Sequence, residues 1–228
     1  MVHSTGAPNP NLKRYVGPDD GRLGKNQYGN HWNQARPEGR QICCHAFVGK
    51  LADGTVATYQ TLPWTMRGWH GAKGPKGSVN NTHLGFEICE DGLTDAKYFR
   101  AVFAEAVELC AYLCKMFHLD PMGDGVIIGH YEGYQRGVAS NHGDPRNWFP
   151  KHGESMDSFR AAVKKALEGK PPAPDEITHT VKQGDTLWAL AVRYLGDGHR
   201  WPEIQALNGG IDPKRLRMHV QLARRLIK

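Results

Sequence analysis

The stretch Leu84-Gly-Phe-Glu-Ile-Cys89 decides how the sequence around it can fold. Leu84, Phe86 and Ile88 occupy every second position, which is the period of a β-strand with one buried face. The opposite face of that strand then carries Glu87. We therefore expect a sheet with two different surfaces, one packed against a core and one that presents this carboxylate.

Other apolar segments bounded by turn residues predict further strands beside this one. A hairpin signal, Asp53-Gly54, separates two of them. A third is an apolar run that ends in a histidine as the chain enters a loop. The predicted strands are Val2–Thr5, Ile42–Val48, Thr55–Leu62 and Val126–His130.

Two amphipathic segments predict helices that pack on this sheet. The longer runs from about Thr94 or Asp95 to Leu119 and is stopped by Asp120-Pro121, and a second follows Ser155 as far as about Leu167. Strands that alternate with long helices indicate an α/β fold, with a sheet flanked by helices.

The five cysteines are too sparse for a disulfide scaffold, so we interpret them as reduced thiols. Cys110 and Cys114 lie one turn apart on the apolar stripe of the long helix. Core positions are favoured for both over the alternative, half of a metal site.

The 228 residues and their 39% apolar content predict one medium domain and one small module. The proline-rich segment after Gly169 marks the boundary, which gives a domain at 1–168, a linker at 169–177 and a module at 178–228. Residues 6–41 form a long loop region, which we expect to shape a site. The sequence shows no membrane span, and no signal-peptide apolar region follows Met1.

Positive charge is concentrated at the end of the chain. Residues 179–228 carry nine Lys/Arg and four Asp/Glu. Such a basic module suits a polyanionic partner, either nucleic acid or a cell wall that bears anionic polymers. The alternative is a solvated face that only aids solubility.

Several polar side chains at predicted strand ends supply the inventory of a catalytic zinc site. Such a site needs three His, Asp, Glu or Cys ligands, an open position for water and a nearby carboxylate that takes the proton from that water. His3, His130, Asp144 and Glu87 satisfy this inventory. His142 lies two residues before Asp144, so on an extended segment either of them could complete the metal site.

Five further motifs occur along residues 1–168 and include these side chains. The motifs are Val2-His-Ser-Thr5, Arg67-Gly-Trp-His-Gly71, Asn80-Asn-Thr-His-Leu-Gly-Phe-Glu-Ile88, Ile128-Gly-His130 and His142-Gly-Asp-Pro145. As a set, they resemble the zinc N-acetylmuramoyl-L-alanine amidases, which share their fold with peptidoglycan recognition proteins and include phage endolysins. The resemblance covers about residues 1–168 and implies a mixed β-sheet flanked by helices.

The resemblance also implies roles for individual residues. One Zn²⁺ is expected on His3, His130 and Asp144, with Glu87 as the catalytic carboxylate. The other implied residues are His142 as the group that stabilises the oxyanion, and Trp69, His70 and Asn81 as substrate contacts. This chain departs from many members in having His142 where they have lysine, and Cys44 where they have tyrosine.

The C-terminal module contains the segment Val181-Lys-Gln-Gly-Asp-Thr-Leu-Trp188, and a closing strand is expected at Val220–Ile227. On this segment the module resembles LysM, a βααβ unit that binds glycans containing N-acetylglucosamine. Trp188 and Trp201 are interpreted as core residues rather than sugar platforms. The resemblance places glycan contacts at Gly184, Asp185, Thr186, Leu187 and Asn208.

Together these expectations describe a monomeric peptidoglycan hydrolase, a phage or prophage endolysin, made in the bacterial cytoplasm and acting at the wall. The alternative is a catalytically inactive protein that only recognises peptidoglycan. A nucleic-acid binder is disfavoured because the sequence shows neither a recognition helix nor an aromatic stacking sheet.

Overall fold

The computed structural model describes residues 1–168, 176–180, 184–207 and 219–223. The chain divides into two compact units, Met1–Glu168 and Gly169–Lys228. Among the described residues, each hydrophobic core consists of side chains from its own unit. The predicted linker falls mostly on residues 169–175, which lie outside the described residues.

The first unit is built on a four-stranded mixed sheet in the order β1-β4-β2-β3. β1 and β2 each run parallel to β4, and β3 closes the sheet as the antiparallel partner of β2 across the predicted Asp53-Gly54 hairpin. The strands are β1 (Val2–Ser4), β2 (Ala46–Lys50), β3 (Val56–Gln60) and β4 (Phe86–Ile88).

One face of the sheet is covered by two long helices, α1 (Ala96–Phe117) and α3 (Met156–Glu168). Asp95 starts α1 by accepting hydrogen bonds from two backbone N–H groups of the first turn. Phe86 and Ile88 point into this core, as their spacing predicts, and Cys110 and Cys114 are buried free thiols. The α/β fold with a sheet flanked by helices is confirmed.

The long segment 6–41 covers the other face of the sheet. Four of its side chains, Leu12, Tyr15, Val16 and Leu23, are buried against Phe47 and its neighbours in a second hydrophobic cluster. The Tyr15 and Phe47 rings stack with centroids 5.3 Å apart. The loop is therefore a packed layer, and its burial contributes to the core as helices do elsewhere.

The predicted fifth strand, Val126–His130, is wrong. The segment makes a single parallel bridge, in which Val2 N–H donates to Ile128 O at 2.8 Å. The chain then turns into the short helix α2 (His130–Gln135), because the N–H of Gly129 bonds to the side chain of Glu132 instead of extending the ladder. His130 is consequently the first residue of a helix.

The second unit follows the predicted βααβ order. β5 (Glu176–Thr180) pairs antiparallel with β6 (His219–Ala223), and α4 (Leu187–Leu195) and α5 (Trp201–Leu207) lie between them in the chain. Thr186 caps α4 by accepting from the N–H of Ala189. The unit's core consists of Leu187, Leu190, Ala191 and Ile204.

The two tryptophans of this unit differ in burial. Trp201 packs against the core, as predicted. Trp188 does not, since it is 47% exposed and its indole lies against Gly198 and His199. The reason is the helical period: Leu187 and Leu190 take the inward face of α4, which turns Trp188 outward. Over the described part of the chain, no helix is both long and apolar enough to cross a bilayer.

We predict that a chain ending at Glu168 folds on its own, because each unit has its own core. It should unfold cooperatively, with a Tm within about 4 °C of the first transition of the full chain, the shift that roughly 1 kcal/mol produces in a domain of this size. Thermal unfolding followed by circular dichroism tests this. Loss of the cooperative transition would show that the first unit depends on the second.

Candidate active site

Three side chains from distant parts of the sequence converge at one end of the sheet. His3 lies in β1, His130 begins α2, and Asp144 lies in the loop after α2. The two Nδ1 atoms are 3.0 Å apart, and the carboxylate of Asp144 lies 3.1 Å from Nδ1 of His3 and 3.4 Å from Nδ1 of His130. Both imidazoles are buried, and the three donor atoms lie within 4.8 Å of one another.

Backbone hydrogen bonds bring these three residues together. The bridge between Val2 and Gly129 sets β1 beside the start of α2. The N–H of Ser4 points at Asp144 Oδ2 at 3.4 Å, and the N–H of Tyr131 donates to the carbonyl of Asp144 at 3.2 Å. The strand and the helix start thus position the loop that carries the carboxylate.

Glu87 lies directly beside this cluster, because it is the partner of His3 in the parallel pairing of β1 with β4. Its Oε2 is buried and has no hydrogen-bond partner among the described residues. Burial, together with the nearby carboxylates of Asp144 and Glu90, raises the pKa of Glu87 well above its usual value. Such a carboxyl group is suited to taking up and returning a proton.

His142 lies at the exposed side of the cluster. Its ring centroid is 4.7 Å from that of His130, and its Nδ1 lies 3.0 Å from Oγ of Ser140. The same hydroxyl lies 3.2 Å from Nε2 of His130. Ser140, which the sequence analysis missed, therefore connects a candidate ligand to a candidate catalytic residue.

His70 lies behind His3 rather than on the surface. Its Nδ1 is 3.0 Å from Nε2 of His3, and its Nε2 donates to the carbonyl of His83 at 3.1 Å. Burial lowers the pKa of His3 to about 4 and that of His70 to about 2. Both imidazoles are neutral at pH 7, which is the form in which histidine binds a metal.

Trp69 and Asn81 are exposed near the site and are joined by a residue that the sequence analysis did not assign. The guanidinium of Arg67 lies over the indole of Trp69, 5.2 Å from its centroid, and Arg67 Nε donates to Asn81 Oδ1 at 2.7 Å. These three residues form an exposed aromatic and polar strip. Their contact with substrate, like that of His70, stays a prediction.

Glu90 is a second residue that sequence reasoning missed. It is only 3% exposed and accepts hydrogen bonds from Oγ of Ser4 and from Nδ2 of Asn147 at 3.2 Å. It thereby ties β1, which carries His3, to the segment that follows Asp144. The one signal in the sequence was a charged residue three positions after Glu87, directly beyond a buried strand.

The donor set of the cluster fits a zinc ion. Two imidazole nitrogens and a carboxylate are the ligands of a catalytic zinc site with an open position. The remaining ring nitrogen of each histidine bonds to another protein group, as is usual behind metal-bound histidines. The described residues contain one such group of potential metal ligands.

In the C-terminal unit, the predicted glycan contacts differ in what they can offer. Gly184 has a positive φ of 93° in the turn before α4, and Thr186 is exposed. Leu187 is only 2% exposed and its side chain belongs to the core, which leaves its backbone groups for the predicted glycan contact. Asp185 is partly buried, and Asn208 lies outside the described residues.

Comparison with known proteins places this geometry in context. The chain is 28% identical over 192 residues to the N-acetylmuramoyl-L-alanine amidase XlyA of Bacillus subtilis (strain 168), a match that covers 79% of this chain and 54% of XlyA. It is 36% identical over 58 residues to the uncharacterized protein YqbP of the same strain, which covers 25% of this chain and 26% of YqbP. The chain thus spans about half the length of XlyA and about a quarter of the length of YqbP.

Among solved structures, the Staphylococcus aureus hydrolase AmiA in complex with its ligand matches with a TM-score of 0.48 and 19% sequence identity, over 58% of this chain and 62% of that chain.

Two sequence families match the chain. The LysM domain family matches residues 179–222, which confirms the predicted module. The N-acetylmuramoyl-L-alanine amidase family matches residues 1–147, the region that holds the whole cluster of His3, His130, Asp144 and Glu87. Since this match covers more than half of the sequence, the chain belongs to the N-acetylmuramoyl-L-alanine amidase family.

Proposed function

We propose that this protein is a zinc-dependent peptidoglycan amidase, which hydrolyses the amide bond between N-acetylmuramic acid and the L-alanine of the stem peptide. The observation that carries the proposal is the convergence of His3, His130 and Asp144, with Glu87 paired to His3 on the neighbouring strand. A protein that only recognises peptidoglycan has no need for a buried carboxylate oxygen without a partner among the described residues, as Glu87 has.

The cluster supplies the chemistry of amide hydrolysis. Zinc held by His3, His130 and Asp144 would lower the pKa of a bound water and polarise the amide carbonyl. Glu87 accepts the proton of the attacking water while the water oxygen bonds to the carbonyl carbon. Glu87 then delivers that proton to the amine of L-alanine as the carbon–nitrogen bond breaks. A pKa raised by burial favours this return step.

His142 acts on the carbonyl oxygen in the proposed mechanism. It is exposed beside His130, and its Nδ1 is held by Ser140, so its ring is oriented before substrate binds. An N–H of this ring stabilises the negative charge that develops on the oxygen in the transition state. The strip of Trp69, Arg67 and Asn81 binds the adjoining part of the muropeptide.

The C-terminal unit would hold the enzyme on its insoluble substrate. A LysM unit that binds N-acetylglucosamine in the same glycan raises the effective concentration of the amidase domain there. The basic charge of residues 179–228 suits a wall that bears anionic polymers. We propose that the protein acts at the bacterial cell wall as a phage or prophage endolysin.

The first test separates the two roles within the segment 142–144. Asp144→Ala should lose zinc, because it removes one of three ligands. His142→Ala should retain zinc and lose turnover by about a hundredfold or more, with little change in KM. Metal analysis after dialysis, combined with a muropeptide assay, measures both. Zinc loss in His142→Ala with retention in Asp144→Ala would reverse the assignment.

The second test concerns Glu87. Glu87→Gln should lower turnover at least about a hundredfold while zinc remains bound, because the amide cannot accept the water proton. Glu108→Gln, an exposed change on α1, serves as the matched control and should behave as wild type. An active Glu87→Gln variant, or one that has lost its zinc, would contradict the role of Glu87. Wild-type protein that binds zinc and walls but releases no L-alanine N-termini would favour the binding-only alternative.

The third test concerns the C-terminal unit. A chain ending at Glu168 should cleave soluble muropeptides at the wild-type rate and bind purified walls at least about tenfold more weakly, because it lacks the tether. Co-sedimentation with walls and a soluble-substrate assay measure the two properties separately. Equal wall binding by both chains would assign the wall affinity to the first unit.

A further inference from the structure

We infer that His70 is a positioning residue, which holds His3 in the tautomer that leaves the Nδ1 lone pair facing Asp144 and His130. The inference rests on the proposed metal site and concerns a residue behind it. Three features support it: the hydrogen-bond chain through His70, the way its ring is fixed, and the state that His3 would otherwise adopt.

The hydrogen-bond chain starts at a group whose role is unambiguous. A backbone carbonyl can only accept, so Nε2 of His70 must carry the proton that bonds to the carbonyl of His83 at 3.1 Å. In a neutral imidazole the other nitrogen is then an acceptor. Nδ1 of His70 therefore accepts from Nε2–H of His3 at 3.0 Å, and the lone pair of His3 is left on Nδ1.

The position of His70 is fixed through its backbone and through its ring. Its backbone N–H and that of Gly71 both donate to Oδ1 of Asn80, which is 2% exposed. The ring lies flush against Gly85, where a Cβ would come within 2.3 Å of it. Only glycine at position 85 allows the ring to occupy this place. The acceptor that faces His3 is thus held by the fold.

Without that acceptor, His3 has a competing state. Nδ1 of His3 lies 3.1 Å from Oδ2 of Asp144, so a proton on Nδ1 would form a hydrogen bond with the carboxylate. That proton would occupy the position through which His3 binds a cation. When His70 holds the proton on Nε2, the bare Nδ1 of His3 and Oδ2 of Asp144 are both acceptors and lie 3.1 Å apart. A cation bound to both atoms stabilises this arrangement.

The assignment also changes what His70 can do for substrate. Both of its ring nitrogens are occupied within the protein, by His3 and by His83. Polar recognition of the muropeptide then falls to exposed groups such as Arg67 and Asn81.

The experiment compares three variants of the full chain with wild type. His70→Leu removes the acceptor, and His70→Asn retains one, because its Oδ1 lies close to where Nδ1 was. His45→Leu is the matched control: His45 is a buried histidine that lies against the His70 ring, with centroids 5.9 Å apart, but it bonds to backbone groups of Met66 and Gly85.

Two quantities are measured: the tautomer of His3 in metal-free protein, from its imidazole ¹⁵N shifts, and the Kd for Zn²⁺, from competition with a chelator. Wild type, His70→Asn and His45→Leu should hold the proton on Nε2 of His3 and bind Zn²⁺ within about threefold of one another. His70→Leu should move the proton toward Nδ1 and bind Zn²⁺ about 10- to 100-fold more weakly.

A wild-type protein with the proton on Nδ1 of His3 would overturn the inference, and so would a His70→Leu variant unchanged in both quantities. If His70→Leu fails to fold, the wild-type tautomer and the behaviour of His70→Asn still decide. Because the tautomer is measured without metal or substrate, an inactive wild-type enzyme would refute the proposed function and leave this test intact.

Discussion

The parallel pairing of β1 with β4 is the constraint on which the candidate site depends. The register joins Val2 to Phe86, His3 to Glu87 and Ser4 to Ile88, so it sets a potential metal ligand beside a potential general base across 84 residues of sequence. Side chains alternate between the two faces along each strand. The apolar neighbours therefore point into the helical core, and His3 and Glu87 both lie on the opposite face. A slip of one residue would bury His3 in the core and separate it from Glu87.

The electrostatic character of the site follows from the layer that covers this second face. The segment 6–41 packs Leu12, Tyr15 and Val16 against Phe47 and removes water from the sheet around Glu87. Loss of water raises the pKa of the Glu87 carboxyl group. The burial of His3 beside His70 and His130 lowers the pKa of that imidazole and keeps it neutral. Burial thus keeps His3 in the neutral form that binds a metal, and it makes the ionised Glu87 carboxylate a stronger proton acceptor.

Around the cluster, nearly every polar contact ties one chain segment to another. Glu90 joins β1 to Asn147, Ser140 joins His130 to His142, and His70 joins His3 to the carbonyl of His83. Ligands that come from three separate segments can hold a fixed geometry only if such partners restrict them. Pattern reasoning did not find Glu90 and Ser140, because neither carries a recognisable spacing, and it assigned His70 to the substrate instead of to His3.

Sequence alone determined the α/β class, the hairpin at Asp53-Gly54, the extent of α1 and the face on which Glu87 lies, because each depends on local period, capping or turn chemistry. Motifs along the chain also indicated both families. Tertiary structure decided the end of the predicted fifth strand, where Gly129 bonds to Glu132 and starts a helix, and the outward position of Trp188. It also decided that both nitrogens of His70 are occupied within the protein. For the first two, packing selected one of the local conformations that the segment allows. The partners of His70 lie 67 and 13 residues away in the sequence, and no local pattern encodes such a partner.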